Sequence, residues 1–315
     1  MAGQVWSVAA EGGYMYSDQL SDVLRIAMQP LQRFRQFCDI EPAVGKHRGA
    51  TFNWNIYSNV ATAGGVLNEV EKMPETNFTI AQQSLTLYER GNSVPFTGVL
   101  NDLSKHPVEN VIRKVLKNDC NKAMETAAHS QFDSTLLVTV PTGGTSTTAM
   151  TTDVDGVTAV TNNVGMGNAH VKLIIDLMKE RNIPAYDGTN YISIGRPSSF
   201  RDFKDDLEAI GQYTERGFGL ILHGEIGRHY EGCRFFEQTG IASESWTNSK
   251  SDAVYFFGDD AVVEGVAVPE EMRGAIPGDF GRSRGVAWYA INGFGIVHNE
   301  TGATENRIVK WDSAA

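Results

Sequence analysis

The sequence is poor in most of the features that mark a functional class. It has three cysteines, Cys38, Cys120 and Cys233, far apart and without C-x-x-C spacing. Neither a disulfide framework nor a cysteine-bound zinc is indicated, and a reducing compartment is the simplest reading. No apolar run approaches the roughly 20 residues of a membrane-crossing helix, so no membrane partner is expected. Met1 to Glu11 lacks the basic flank and apolar stretch of a signal peptide. Lys and Arg together number 27 against 38 Asp and Glu, a net charge of -11, and no dense basic stripe occurs. Phosphate neutralisation supplies most nucleic-acid affinity. A chain that grips nucleic acid is therefore disfavoured, whereas one that merely encloses it is allowed.

Catalytic signatures are equally sparse. There is no Walker loop, Rossmann fingerprint or kinase signature, and no cofactor is expected. The seven histidines (His47, His106, His129, His170, His223, His229 and His298) form neither H-E-x-x-H nor an i, i+4 pair, so metal ligation has no support. His223 and His229 flank a glycine-rich turn and read as surface or hydrogen-bonding residues. Asp153-Val-Asp155-Gly156 opens like a calcium loop but lacks the closing Glu. Asp202, Asp205, Asp206 and Glu208 lie opposite Phe200, Phe203 and Leu207 on an expected helix, where a solvated face explains them. Gly281-Arg-Ser283-Arg-Gly285 matches G-x-S-x-G. A nucleophile elbow needs a strand before it and a helix after it. Here a turn-like Ile276–Phe280 precedes and a strand-like Val286–Ile291 follows.

What is present is an ordinary globular balance, 41% hydrophobic and 21% charged over 315 residues, and one dominant stretch from Thr51 to about Phe132. Phe52, Trp54 and Ile56 alternate with Thr51, Asn53 and Asn55, the period-2 pattern of a half-buried strand. A return strand is expected around Phe78 to Glu89, with Ser93 to Val99 a candidate extension. Between them Ser58 to Asn77 forms a polar tip bearing Glu69, Glu71, Lys72 and Glu75. A two-stranded ribbon of this length does not stabilise itself in water. It folds over its own domain or lies on another molecule.

Ser104 and Pro107 then open a long helix to about Phe132, with Ile112, Leu116, Cys120, Ala123 and Ala127 on one face. Its length is roughly 40 Å at 1.5 Å per residue, that of a whole domain. Before the ribbon, Ser17 is placed to cap a helix from Asp18 to about Cys38, interrupted at Pro30. After the spine, a short strand is expected over Ser134–Val140. The Thr-rich segment 141–167 reads as an exposed insertion with strand character around Gly156–Val160. Residues 168–223 alternate helix and strand: an Asn168-capped helix, Tyr191–Ile194, a helix opened by Pro197, and Gly219–Leu222. Strands dominate from Arg228: Gly232–Glu237, Ala253–Phe257, Ala261–Val268, Gly285–His298 and Asn306–Trp311.

This order of elements resembles the major capsid proteins of tailed bacteriophages, which share the Johnson coat fold. The resemblance is carried locally by Gly224-Glu-Ile-Gly-Arg-His-Tyr-Glu-Gly-Cys-Arg-Phe-Phe236, by Tyr255-Phe-Phe-Gly-Asp-Asp-Ala261, and by Asp279-Phe-Gly-Arg282 with Ala287-Trp-Tyr289 and Gly293-Phe294. It spans nearly the whole chain and implies an α+β coat fold. Residues 1–45 would be an N-terminal arm and helix, and 46–97 an extended hairpin loop overlapping a neighbour. Residues 98–134 and 228–315 would be a peripheral domain containing the spine helix, and 135–227 an axial domain with the insertion 141–167.

The implied function is a non-enzymatic shell protein, assembling as hexamers and pentamers into an icosahedral capsid around phage DNA, in the virion after assembly in the host cytoplasm. Phe52, Trp54, Ile56, Glu69, Glu71, Lys72 and Glu75 would contact the next subunit. The chain shows no long N-terminal scaffolding extension, so a separate scaffolding protein is implied, alongside a portal and a possible decoration protein. Some relatives cross-link a loop lysine to an asparagine, and Lys46 and Lys72 are the lysines near this ribbon. Rival readings are an encapsulin-type compartment shell and, from another class, a serine hydrolase using Ser283.

Overall fold

The computed structural model describes residues 3–5, 7–8, 10–11, 32–42, 49–58, 60, 64–70, 72–73, 75–156, 163–211, 229–242, 244–246, 249–300, 302 and 305–314. In chain order the strands begin with β1 (Asp39–Pro42), β2 (Thr51–Tyr57), β3 (Ile80–Thr86) and β4 (Tyr88–Thr97). Helices α1 (Gly98–Leu103) and α2 (Val108–Asp133) follow, then β5 (Val138–Pro141), β6 (Met150–Asp153), α3 (Asn168–Glu180), β7 (Tyr191–Gly195) and α4 (Arg201–Gly211). The remainder is β8 (His229–Tyr230), β9 (Cys233–Glu237), β10 (Glu244–Trp246), β11 (Ser249–Phe257), β12 (Val262–Gly274), β13 (Ser283–Ile296) and β14 (Ile308–Ala314).

Helix α2 is the spine that the spacing predicts. Val108, Ile112, Leu116, Cys120, Met124, Ala128 and Phe132 recur at four-residue steps and are all buried. They pack against Phe96 and Leu100, against Val286, Trp288, Ala290 and Phe294 of β13, and against Tyr255 and Phe257 of β11. Its start differs from expectation. Pro107 occupies the cap position, and the Ser104 hydroxyl donates to the His106 carbonyl at 2.8 Å instead of capping. Ser104 instead ends α1, a helix that the sequence pattern hides because six residues are too few to show a period. Its Thr97 side chain accepts from the Leu100 amide at 3.3 Å, a threonine N-cap.

Among the described residues the strands form three sheets. One has the order β1-β12-β13-β4, antiparallel except that β1 runs parallel to β12. A second has the order β6-β5-β14-β11-β7-β9-β8, with β10 added to β11. Its core includes Ile174, Ile175 and Met178 of α3 and Phe203 of α4. The third is the ribbon, β2 with β3, in register from Thr51↔Thr86 to Tyr57↔Ile80.

Several expectations shift. The return strand is two strands: β3 pairs with β2, whereas β4 pairs with β13 along its whole length, from Tyr88↔Asn292 to Thr97↔Ser283. Only Leu87 separates them, and alternation along the chain cannot reveal that the partner changes. The strands after residue 228 also divide, β12 and β13 to the spine sheet, β8 to β11 and β14 to the other. In the Thr-rich segment the strand is β6 at 150–153, paired to β5, because the buried edge at Val138–Pro141 supplies a partner there. Residues 157–160 of the expected strand lie outside the described residues, as do Gly219–Leu222 and most of the Asp18–Cys38 helix. The described end of that helix is a single 3-10 turn, Arg35–Phe37.

That turn is fastened to the spine by an acid. Glu125 is buried on α2, and its carboxylate accepts from the amides of Arg33 (2.5 Å), Phe34 (2.8 Å) and Arg35 (3.1 Å) and from the Gln238 side-chain amide (2.8 Å). It acts as a helix N-cap supplied from another element. Arg35 continues the fastening, donating through Nε and Nη2 to the fully buried Glu264 of β12 at 3.0 and 2.8 Å and also pairing with Glu270.

Candidate functional site

The ribbon carries the residues singled out from sequence. Its strand β2 alternates exposed and half-buried as expected, with Phe52, Trp54 and Ile56 on the half-buried face. That face lies on its own chain. Phe52 and Trp54 pack with Leu85, Val263 and Val297, and the Trp54 indole donates to the Val297 carbonyl at 3.3 Å. Two glycines of β13 make this crossing possible. A Cβ at Gly293 would sit 2.3 Å from the Thr86 carbonyl, and one at Gly295 would sit 2.9 Å from Leu85 Cβ. The aromatic stripe therefore seats the base of the ribbon, and the part left for a partner is the far end.

The far end is closed by a polar neck. The Ser58 amide donates to the Thr79 carbonyl at 2.9 Å, the two hydroxyls lie 2.8 Å apart, and the Thr79 amide donates to Ser58 Oγ at 3.1 Å. Beyond the neck, the described residues of 64–79 form no strand and are all exposed. Val66 is 104% exposed and Val70 91%, with Leu67, Met73 and Phe78 also out in water. The sequence does not mark these apolar residues, because they follow no period and sit among charges. Of the charges, Glu69 and Glu75 are exposed, and Lys72 pairs locally with Glu75 at 2.5 Å. Glu71 and Lys46 lie outside the described residues.

The other candidates resolve into structural roles. Ser283 opens β13 directly after a 3-10 turn at Asp279–Gly281, and a strand, not a helix, follows it. A nucleophile elbow cannot form in that topology. Burial pushes the thiols of Cys38, Cys120 and Cys233 up, that of Cys120 to about 11, which keeps them protonated and unreactive. Asp206 accepts from the Asn168 amide at 2.9 Å, so one member of the acidic group serves the N-terminus of α3 across a helix pair. The cap position there is Gly167, one residue before the expected Asn168.

The histidines are used singly. His129 Nε2 lies 3.0 Å from the Tyr255 hydroxyl, which donates to Asp133 at 2.7 Å, and Lys310 Nζ donates to the same carboxylate oxygen at 2.6 Å. Burial pushes Asp133 up, but the bonds from Lys310 and Tyr255 outweigh it and hold the carboxyl below its ordinary range. His229 meets Asn190 at 2.7 Å, and His223 lies outside the described residues. Among the described residues no three His, Cys, Asp or Glu side chains gather as a metal site, and no helix is long and apolar enough to cross a membrane.

No protein-family model and no curated protein sequence matches the chain. Solved structures do. The capsid asymmetric unit of cyanophage Pam1 is similar at 17% identity and a TM-score of 0.66, covering 95% of this chain and 97% of that one. The capsid of Ralstonia phage GP4 is similar at 12% identity and 0.66, covering 95% of each. The acid-stable capsid of Helicobacter pylori bacteriophage KHP30 is similar at 10% identity and 0.67, covering 95% and 96%. Likeness over nearly the full length of both partners establishes the α+β coat fold that the sequence resemblance implies.

Proposed function

We propose that the chain is a major capsid protein that assembles with copies of itself, as hexamers and pentamers, into an icosahedral shell enclosing phage DNA. The observation that carries this reading is the ribbon end, a long projection on a phage-capsid fold whose apolar side chains its own chain leaves in water. Exposed Val66, Leu67, Val70 and Met73 supply the apolar area for a neighbour's surface, while Glu69, Glu71, Lys72 and Glu75 set register around them. Phe52, Trp54 and Ile56 then act one step back, holding the ribbon at the angle from which it reaches the next subunit.

In domain terms residues 1–38 act as an N-terminal arm and 46–87 as the extended loop, shorter than the expected 46–97 because β4 joins the sheet of β13. The spine helix with the β1-β12-β13-β4 sheet forms a peripheral unit, and the larger sheet with α3 and α4 an axial one around the capsomer centre. The net charge of -11 suits a wall that encloses DNA without adhering to it. A separate scaffolding protein, a portal and a decoration protein are its expected partners, with assembly in the host cytoplasm and residence in the virion.

The test is deletion of Ser58–Asn77, judged by electron microscopy and sedimentation. The variant should be a folded, soluble subunit that forms no stable shells. Normal shells from the deletion variant would overturn the reading.

A further inference from the structure

The turn between β12 and β13 carries a second apolar projection, remote in sequence from the ribbon. Residues 271–280 are exposed without exception, and within them Ile276 is 93% and Phe280 107% exposed. Asp279 and Phe280 hold φ values of 48° and 52°, and Gly281 follows at 90°. A left-handed backbone is a true outlier for a bulky residue, and such strain persists where surrounding structure or function fixes it. Here Asp279–Gly281 forms a 3-10 turn, closed by the Gly281 amide on Gly278 and by paired bonds between Gly278 and Ser283. The turn presents a phenylalanine to water instead of hiding it.

Beside this knob lies a groove of about 410 Å³, ample for a benzyl side chain. Val5 of the N-terminal segment, Pro95 and Phe96 of β4 and Val99 of α1 give it apolar walls, and Asp279 and Arg282 stand at the knob side. The N-terminal wall is fixed, since the Gln4 amide donates to the Pro95 carbonyl at 2.9 Å and the Thr97 amide to Gln4 at 3.3 Å.

We propose that Phe280 of one copy seats in this groove of a second copy, the two molecules exchanging knobs about a two-fold axis. Knob and groove sit at the same end of the same sheet, so one rotation satisfies both, as an isologous contact requires. Asp279 and Arg282, 3.5 Å apart with side chains 53% and 78% exposed, place opposite charges at the rim. Under the same rotation each Arg282 meets the other copy's Asp279, which makes the rim complementary to itself. Two phenylalanines bury only about 150–250 Å² each, and an isolated stable interface needs about 1,200 Å². The contact is therefore too small to make a dimer in solution and forms when other contacts already hold many copies together. It belongs between assembly units, and in that sense it rests on the coat reading above.

The test mixes two single-cysteine additions, Phe280→Cys and Val99→Cys, in one assembly, with the three native cysteines buried. Mild oxidation of shells should give a 280–99 link between chains, identified as a mixed peptide by mass spectrometry, and dilute unassembled subunits should give at least tenfold less. Shells with both thiols reactive but no interchain 280–99 link would overturn the contact. In parallel, Phe280→Ser should leave the subunit's melting temperature unchanged and lower the shell's dissociation temperature, with Phe280→Leu restoring most of it. Phe280→Ser shells as stable as the original would refute the contact alone. An original protein that never assembles would refute the coat reading and this contact with it.

Discussion

Replacing Glu125 by Ala tests how the N-terminal segment is held to the spine. The carboxylate serves four donors, the amides of Arg33, Phe34 and Arg35 and the Gln238 side chain, at 2.5–3.1 Å. Hydrogen bonds to a charged group contribute about 1.5–3 kcal/mol each, and a buried donor left unpaired carries its own penalty. The straight sum overstates the loss. The Arg33 and Arg35 bonds are only part-buried, so water can reach those donors once the side chain is cut back, and the variant also removes a charge from the interior. Allowing for both, we expect about 3–4 kcal/mol of destabilisation.

With a urea m-value of about 3 kcal/mol/M, that shift lowers the unfolding midpoint by about 1 M. The assay is urea unfolding of the unassembled subunit followed by tryptophan fluorescence. Glu125→Gln keeps one acceptor oxygen and should lose about half as much. A midpoint for Glu125→Ala within about 0.2 M of the original would refute the capping role.

Other perturbations have equally definite outcomes. Gly293→Ala should detach the base of the ribbon, because a Cβ would sit 2.3 Å from the Thr86 carbonyl; hydrogen exchange at β2 and β3 should rise at least tenfold while α2 stays protected. Ser283→Ala should leave shell assembly unchanged, and loss of any esterase activity in that variant would contradict the reading of its topology. Burial, aided by Arg307, lowers His298 to about 4, and burial also lowers His129 and His170. These groups charge in the unfolded chain before they charge in the fold, so their effect is absent above about pH 6.5 and stability falls as pH drops from there toward 4. Denaturant titrations at pH 7 and pH 5 should show the fall, and His298→Asn should flatten it.

The sequence was legible where a residue's environment repeats along the chain. Phe52, Trp54 and Ile56 alternate because one face of β2 rests on Leu85, Val263 and Val297, and the α2 stripe recurs every four residues because one side of the helix meets two sheets. Partner choice was not legible. Nothing local distinguishes β3, which pairs with β2, from β4, which pairs with β13, or tells that β11 joins β7 while the neighbouring β12 joins β13. Short elements such as β1, β8 and α1 carry too few residues to show a period. At the candidate site the charges of the ribbon end are visible in the sequence, whereas Val66, Val70 and Phe280 matter because they stand exposed, a property of the folded surface. Glu125 belongs to no pattern along the helix, since three of the donors it serves lie about 90 residues upstream in the chain and the fourth, Gln238, lies downstream.

The most direct measurement is an electron cryomicroscopy reconstruction of the particles formed by the purified protein. A closed icosahedral shell is expected, in which residues 64–78 of each ribbon lie on an adjacent copy, with Val66 and Val70 buried there. A protein that stays monomeric under all assembly conditions, or a shell whose ribbon ends project into solvent, would contradict this expectation.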